Sequence, residues 1–271
     1  MADNNHNFST RALWAGHLPP VAGEDVATPI HHSVTFGYYD MDEWFDVALD
    51  RKPGHIYSRN TNPTVRPLEV TMSSLEGSEE AVSFSTGMAA ISNTLYTLLE
   101  PGDRAVAIKD TYGGTNKIFL EFLPRMKVDC CLCDTLDFDT IEEEVRKGCK
   151  LLYLETPTNP LLKVVDIERL ARVAHEVGAL VIVDNTFATM VNQRPLELGA
   201  DIVLYSATKY LNGHSDAMGG IVCGPREIVD RVYHYREING ATLHANSAYL
   251  ILRGLKTLEL RMQRHNENGQ R

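Results

Sequence analysis

From about Asn62 onward, short apolar runs alternate with amphipathic stretches, and this alternation restricts the chain to repeated strand-helix-strand units. The strand runs are Ala81–Phe84, Ala105–Ile108, Val128–Leu132, Leu151–Leu154, Leu180–Val183, Ile202–Tyr205 and Gly220–Cys223. Between them, helical periodicity predicts helices over Pro67–Leu75, Met88–Leu99, Gly114–Phe122, Thr140–Lys147 and Ile167–Val177. Runs such as Leu180-Val181-Ile182-Val183 carry no polar alternation, so they fit strands covered on both faces. The expected fold is α/β, a mostly parallel seven-stranded sheet with helices on both faces. Near the end, Ile251, Leu255, Leu258 and Met262 recur at offsets of 4, 3 and 4 and predict one long helix stopping at Asn268-Gly269.

This divides the chain into three. Residues 1–60 read as an irregular arm rich in Pro, Gly, His and aromatics, from Pro19-Pro20 through Pro29 to Pro53-Gly54. Lacking a long periodic segment, the arm is expected to lie across another surface, of this subunit or a neighbour. Residues 61–255 form the large domain, and residues 256–271 begin a connector helix.

The 271 residues are 44% hydrophobic and 23% charged, which places the chain among globular proteins rather than disordered ones. With 36 acidic against 26 basic residues and a formal net charge of −10, it has no electrostatic footprint for a nucleic-acid backbone. No apolar run reaches the roughly 18 residues a membrane span needs, and Met1–Trp14 has no apolar secretory core. Cys130, Cys131, Cys133, Cys149 and Cys223 are odd in number and sparse, which suits reduced thiols in a cytoplasm. The Cys130–Cys133 cluster lacks the spacing of a structural zinc site and reads as strand, so no metal is expected.

In open α/β sheets, ligands gather at the carboxyl ends of the strands. Three such ends carry chemistry. Ser85-Thr86-Gly87-Met88 turns from a strand into a helix whose first amides can seat a phosphate. At Val183-Asp184-Asn185-Thr186 an apolar run ends in a carboxylate, which needs a cation if it is buried. A P-loop enzyme has a similar run, but its G-x-x-x-x-G-K-[ST] signature is absent. The third end, Ser206-Ala207-Thr208-Lys209, places two hydroxyls and an amine together. An enzyme using pyridoxal 5'-phosphate needs these groups: a lysine for the Schiff base, an acid for the ring nitrogen and donors for the phosphate.

Longer motifs join them: Tyr57-Ser58-Arg59-Asn60-Thr61-Asn62-Pro63-Thr64, Tyr112-Gly113-Gly114-Thr115, Glu155-Thr156-Pro157-Thr158-Asn159-Pro160 and Gly213-His214-Ser215-Asp216. In combination, from Ser9 to Gly269, the sequence resembles the Cys/Met-metabolism family of fold-type-I pyridoxal-phosphate enzymes. The family includes cystathionine γ-synthases, cystathionine γ-lyases, methionine γ-lyases and O-acylhomoserine sulfhydrylases. The resemblance implies that Lys209 carries the cofactor and Asp184 pairs with its ring nitrogen. Gly87, Met88, Ser206 and Thr208 become phosphate ligands. Tyr112 stacks on the ring and assists proton transfer, Asn159 meets the ring hydroxyl, and Thr186 lines the opposite face. Tyr57 and Arg59 are implied to reach the cofactor of a neighbouring subunit, which makes the protein at least a homodimer and, by family habit, a homotetramer.

The implied reaction is γ-elimination or γ-replacement on a sulfur amino acid or O-acylhomoserine. Gly114 resembles the cystathionine enzymes, because methionine lyases tend to carry Cys there, whereas Met88 and Gly240-Ala241-Thr242-Leu243 are shared with sulfhydrylases and methionine lyases. Family members usually continue into a small C-terminal domain bearing the substrate-carboxylate arginine, which this sequence does not include. The alternative of another class is therefore a non-catalytic cofactor-binding or subunit-pairing module. Gly213-His214-Ser215-Asp216-Ala217 approaches a nucleophile elbow but ends in Ala and follows no buried strand, so it reads as a structural loop.

Overall fold

The computed structural model describes residues 6–17, 25–49 and 51–271. Pro19-Pro20 lie outside these segments.

Seven strands form one sheet: β1 (Glu80–Phe84), β2 (Arg104–Ile108), β3 (Asp129–Cys133), β4 (Leu151–Glu155), β5 (Leu180–Asp184), β6 (Ile202–Ser206) and β7 (Gly220–Gly224). Their spatial order is β1-β7-β6-β5-β4-β2-β3. β3, β2, β4, β5 and β6 are mutually parallel, and β7 runs antiparallel to both β6 and β1. The expected mostly parallel sheet is thus present, including the strand through the cysteine cluster.

Helices cover both faces. Alternate strand residues Ala81, Val203, Tyr205 and Ile221 pack beneath α3 (Val65–Glu76) and α10 (Ala245–Leu255), together with Leu68, Met72 and Ile251. Val106, Leu152, Val181 and Val183 continue that face under α6 (Phe138–Arg146) and α7 (Ile167–Glu176). The opposite face, with Phe84, Ala107, Tyr153, Ile182 and Leu204, meets α4 (Gly87–Leu98), α9 (Arg226–Asn239) and Ile118 and Phe119 of a π-helical turn after α5 (Gly113–Lys117). Burying a Leu or Ile side chain contributes about 1.5–3 kcal/mol, and the strands carry such residues on both faces. That explains their lack of polar alternation.

The structure departs from the sequence reading in three places. The arm contains helix: α1 (Phe8–Trp14), capped by Asn7, sends Ala12 into the core against α3, while α2 (Met41–Ala48) buries no residue. Helix α9 is not among the periodic helices because its surface is largely polar, although Pro225 precedes it and Gly240, at φ 82°, ends it in the left-handed conformation. The expected long terminal helix is two helices, α10 and α11 (Leu258–Gly269), broken at Lys256-Thr257. At the break the Gly254 carbonyl accepts from the Thr257 N–H at 3.2 Å and from Arg261 Nη2 at 2.8 Å. A short helix, α8 (Thr189–Asn192), follows β5.

Candidate active site

The carboxyl ends of β1, β2, β4, β5 and β6 open on a cavity of about 450 Å³. Of the residues expected at the cofactor, Gly87, Met88, Tyr112, Asn159, Asp184, Thr186, Ser206, Thr208 and Lys209 all line it. Four loops and a helix start bring them together, each set by the end of a buried strand.

Helix α4 begins where β1 stops. The hydroxyl of Thr86 accepts the Ala89 N–H at 3.0 Å. The amides of Gly87 and Met88, in the first turn, have no intrahelical acceptor. A Cβ at Gly87 would stand 2.8 Å from Ser206 Cβ and 2.9 Å from its Oγ. Only glycine admits this approach of helix to strand, so backbone amide and serine hydroxyl converge on one small volume.

After β5, the Thr186 N–H donates to Asp184 Oδ1 at 3.0 Å, and Thr186 Oγ1 accepts the Ser206 N–H at 2.8 Å. These bonds fix the β5 loop against β6. Beyond Ser206 the chain turns tightly, with the Lys209 N–H on the Ser206 carbonyl at 3.2 Å and the Gly213 N–H on the Lys209 carbonyl at 2.7 Å. Thr208 Oγ1 lies 3.2 Å from the Gly219 nitrogen that donates to it. The Lys209 amine, by contrast, forms no ion pair among the described residues.

Asp184 and Glu155 end neighbouring parallel strands and are register partners, so both carboxylates project from the face that carries Tyr153 and Ile182. Burial pushes the Asp184 carboxyl above its ordinary value, while the hydrogen bonds from Thr186 oppose the rise. Burial and the Asp184 charge push Glu155 up to about 7. Asp184 has no cationic partner among the described residues. Two buried carboxylates in one cavity wall are a costly arrangement unless a cation enters. The donor set therefore fits pyridoxal phosphate: an anion seat at Gly87, Met88 and Ser206, a carboxylate awaiting a protonated ring nitrogen, and an unpaired amine.

Glu155 opens the Glu155–Pro160 motif, in which sequence alone assigns it no role. The signal was available, because Leu151-Leu152-Tyr153-Leu154-Glu155 has the same apolar-run-then-carboxylate form as the Asp184 run. Phe187 and Met218 also line the cavity and were not singled out. Tyr57 and Arg59 do not line it. The Arg59 guanidinium lies 4.9 Å over the Tyr57 ring, and Tyr57 pairs with Thr35 in an isolated bridge. On the far side of Lys209 a wider opening of about 910 Å³ is bounded by Ser215, Asp216, Arg261 and His265.

An α/β sheet with a lysine and a buried aspartate at its strand ends fits a pyridoxal-phosphate enzyme of the fold-type-I class. Residues 9–271 match the family described as Cys/Met metabolism PLP-dependent enzyme, and the chain belongs to that family. Among curated relatives, an L-methionine gamma-lyase of Fusobacterium nucleatum subsp. polymorphum is 40% identical, aligned over 100% of this chain and 69% of its own length. A cystathionine gamma-lyase of Bacillus subtilis is also 40% identical, over 88% of this chain and 63% of its own. The crystal structure of metB from Corynebacterium glutamicum superposes with a TM-score of 0.91 at 38% identity, covering 98% of this chain and 67% of that one. The chain thus spans about two thirds of the length of these relatives. Equal identity to differently named lyases means that similarity alone does not choose the reaction.

Proposed function

We propose that this protein catalyses γ-elimination or γ-replacement on sulfur amino acids or O-acylhomoserine, in the manner of cystathionine γ-synthases and γ-lyases. Methionine γ-lyase and O-acylhomoserine sulfhydrylase activity are the neighbouring readings. The observation that carries the proposal is the presence, in one cavity, of the Lys209 amine and of the buried Asp184, which has no cationic partner among the described residues. Bound there, pyridoxal phosphate supplies a carbonyl that captures amines and a ring that withdraws electrons from the substrate's α and β carbons.

The chain's own residues have separable tasks. Asp184 holds the proton on the ring nitrogen, and a cation at that position relieves the strain of its own burial. Gly87, Met88, Ser206 and Thr208 hold the phosphate with amides and hydroxyls. Lys209 Nζ moves the proton from the substrate's α carbon, and the Tyr112 hydroxyl delivers one to the departing sulfur or oxygen. Asn159 would meet the ring hydroxyl and the substrate carboxylate, and Thr186 would line the ring's other face. Tyr57 and Arg59 serve the neighbouring subunit's phosphate, which makes a homodimer the smallest active unit and a homotetramer its paired form. The five thiols, free of disulfides, suit a cytoplasmic enzyme.

The test is the visible absorption of the loaded protein before and after adding L-methionine, L-cystathionine or O-acetylhomoserine, the last with and without L-cysteine as the attacking thiol, with 2-oxobutanoate and new thioether measured in parallel. A band that shifts with one of them, together with product, names the substrate. A band indifferent to all three, with no product, refutes the proposal.

A further inference from the structure

We infer that Glu155 is a positioning residue that brackets the two loops bearing Tyr112 and Asn159, so that both reach the cofactor at once. The inference rests on the pyridoxal-phosphate reading of the cavity and concerns a residue to which that reading gives no task.

Tyr112 and Asn159 come from different strand ends and neither sits within a regular element: Tyr112 immediately precedes α5, and Asn159 lies in the loop after β4. Segments of this kind have several backbone conformations available unless something restrains them. At the cavity wall that restraint comes from one side chain. Glu155 Oε2 accepts the Tyr112 N–H at 2.7 Å, and Oε1 accepts the Asn159 N–H at 3.0 Å. One carboxylate therefore spends one oxygen on each loop. It is buried at 5% exposure in the cavity wall, where charge-assisted bonds of this type are strongest.

An outer tie joins the same loops. Lys163 Nζ donates to Asp110 Oδ2 at 2.6 Å, and the Lys163 N–H donates to Thr158 Oγ1 at 3.1 Å. That tie is partly exposed and lies away from the cavity lining, whereas Glu155 belongs to the lining itself. The outer pair holds the loops near one another, and the inner carboxylate sets the two reactive residues. The bracket requires the ionised form, because a protonated carboxyl or a carboxamide replaces one acceptor with a donor facing an N–H.

Glu155→Gln tests this, since it keeps the shape and removes one acceptor. In the loaded protein, hydrogen exchange of peptides spanning residues 110–117 and 156–162 is expected to quicken about 10-fold in at least one segment. The kcat is expected to fall about 10- to 100-fold while KM stays within about 3-fold. A residue that merely fills space predicts no change in either readout for this isosteric variant, and that result overturns the inference. If Glu155→Gln does not fold, Glu155→Asp decides: it keeps the charge but withdraws the oxygens by one methylene. Faster exchange with a smaller loss of kcat then supports the bracket, and wild-type exchange overturns it. Wild-type protein that takes up no pyridoxal phosphate sinks the functional reading instead, and the exchange comparison between unloaded proteins, made above the value of about 7 to which the Glu155 carboxyl is pushed, still decides whether Glu155 holds both loops.

Discussion

Replacing Glu76 by Gln should change how stability depends on pH, because burial displaces the Glu76 carboxyl upward. Glu76 closes α3 with its carboxylate beneath the sheet, where it accepts the Tyr205 hydroxyl while Oε1 has no partner among the described residues. Asn185 Nδ2 donates to that same hydroxyl at 2.8 Å, and Gln193 Nε2 donates to Asn185 Oδ1 at 2.9 Å, so the network ends beside Asp184. Burial raises the Glu76 carboxyl from 4.5 to about 7, although the Tyr205 hydroxyl and the Arg194 charge pull it down and Glu197 adds to the rise. The folded state then binds a proton that the unfolded state has released. Stability accordingly falls as pH rises from the unfolded value towards the folded one, and the full penalty is present above it. Ionising the group inside the fold costs about 3 kcal/mol, of which roughly 2.5 kcal/mol is lost between about pH 5 and about pH 8. At roughly 2–4 °C per kcal/mol, that is about 5–10 °C in thermal midpoint. A glutamine does not titrate, so the midpoint of Glu76→Gln minus that of the wild type should move in the variant's favour by this amount across the range. Differential scanning calorimetry of both proteins at the two pH values measures it. Only the change with pH is read, so a uniform cost of the substitution does not obscure the result. A gap that stays constant with pH would refute the claim that a buried ionised Glu76 burdens the fold.

Two further outcomes are expected. Subunits carrying Arg59→Ala and subunits carrying Lys209→Ala should each be inactive alone, yet regain activity when unfolded together and reassembled, because a mixed pair can hold one site with both Arg59 and Lys209. Activity assays on the mixture check this, and no recovery places Arg59 in the service of its own subunit. Arg236→Met should destabilise the protein by about 2–4 kcal/mol in denaturant titrations, because it takes the donor from two carbonyls and the nearer of two guanidiniums from the buried Glu69 carboxylate, leaving Arg66 at 3.4 Å. Arg236 is 2% exposed and joins Glu69 at 3.1 Å, the Ser83 carbonyl at 2.9 Å and the Asn60 carbonyl at 2.6 Å. A loss below about 1 kcal/mol, the worth of an ordinary surface pair, contradicts that role.

The seven strands were legible in the sequence because a strand buried on both faces must be apolar throughout, and few other local structures need such short, uniform runs. The site was legible in part for a similar reason. Lys209, Asp184 and the turn at Gly87 stand at strand ends, and parallel strands share one end. Motif resemblance then added Tyr57 and Arg59, which no periodicity singles out. The helices were legible only where their apolar stripe is strong: α9 escaped because its surface is mostly polar, and the break between α10 and α11 escaped because Ile251, Leu255, Leu258 and Met262 keep helical spacing across it.

What only the tertiary structure decided are relations between distant positions. Sequence spacing says nothing of register, so it could not set Glu155 opposite Asp184, nor show that one carboxylate reaches the amides of Tyr112 and Asn159. Nor could it show that the Gly87 backbone lies so close to Ser206 that a methyl group has no room. Local sequence sets which residues prefer strand or helix, because those preferences arise within a few residues. The site arises from strand order and close packing, where a carboxylate acquires its neighbours and its displaced pKa only once the sheet has closed around it.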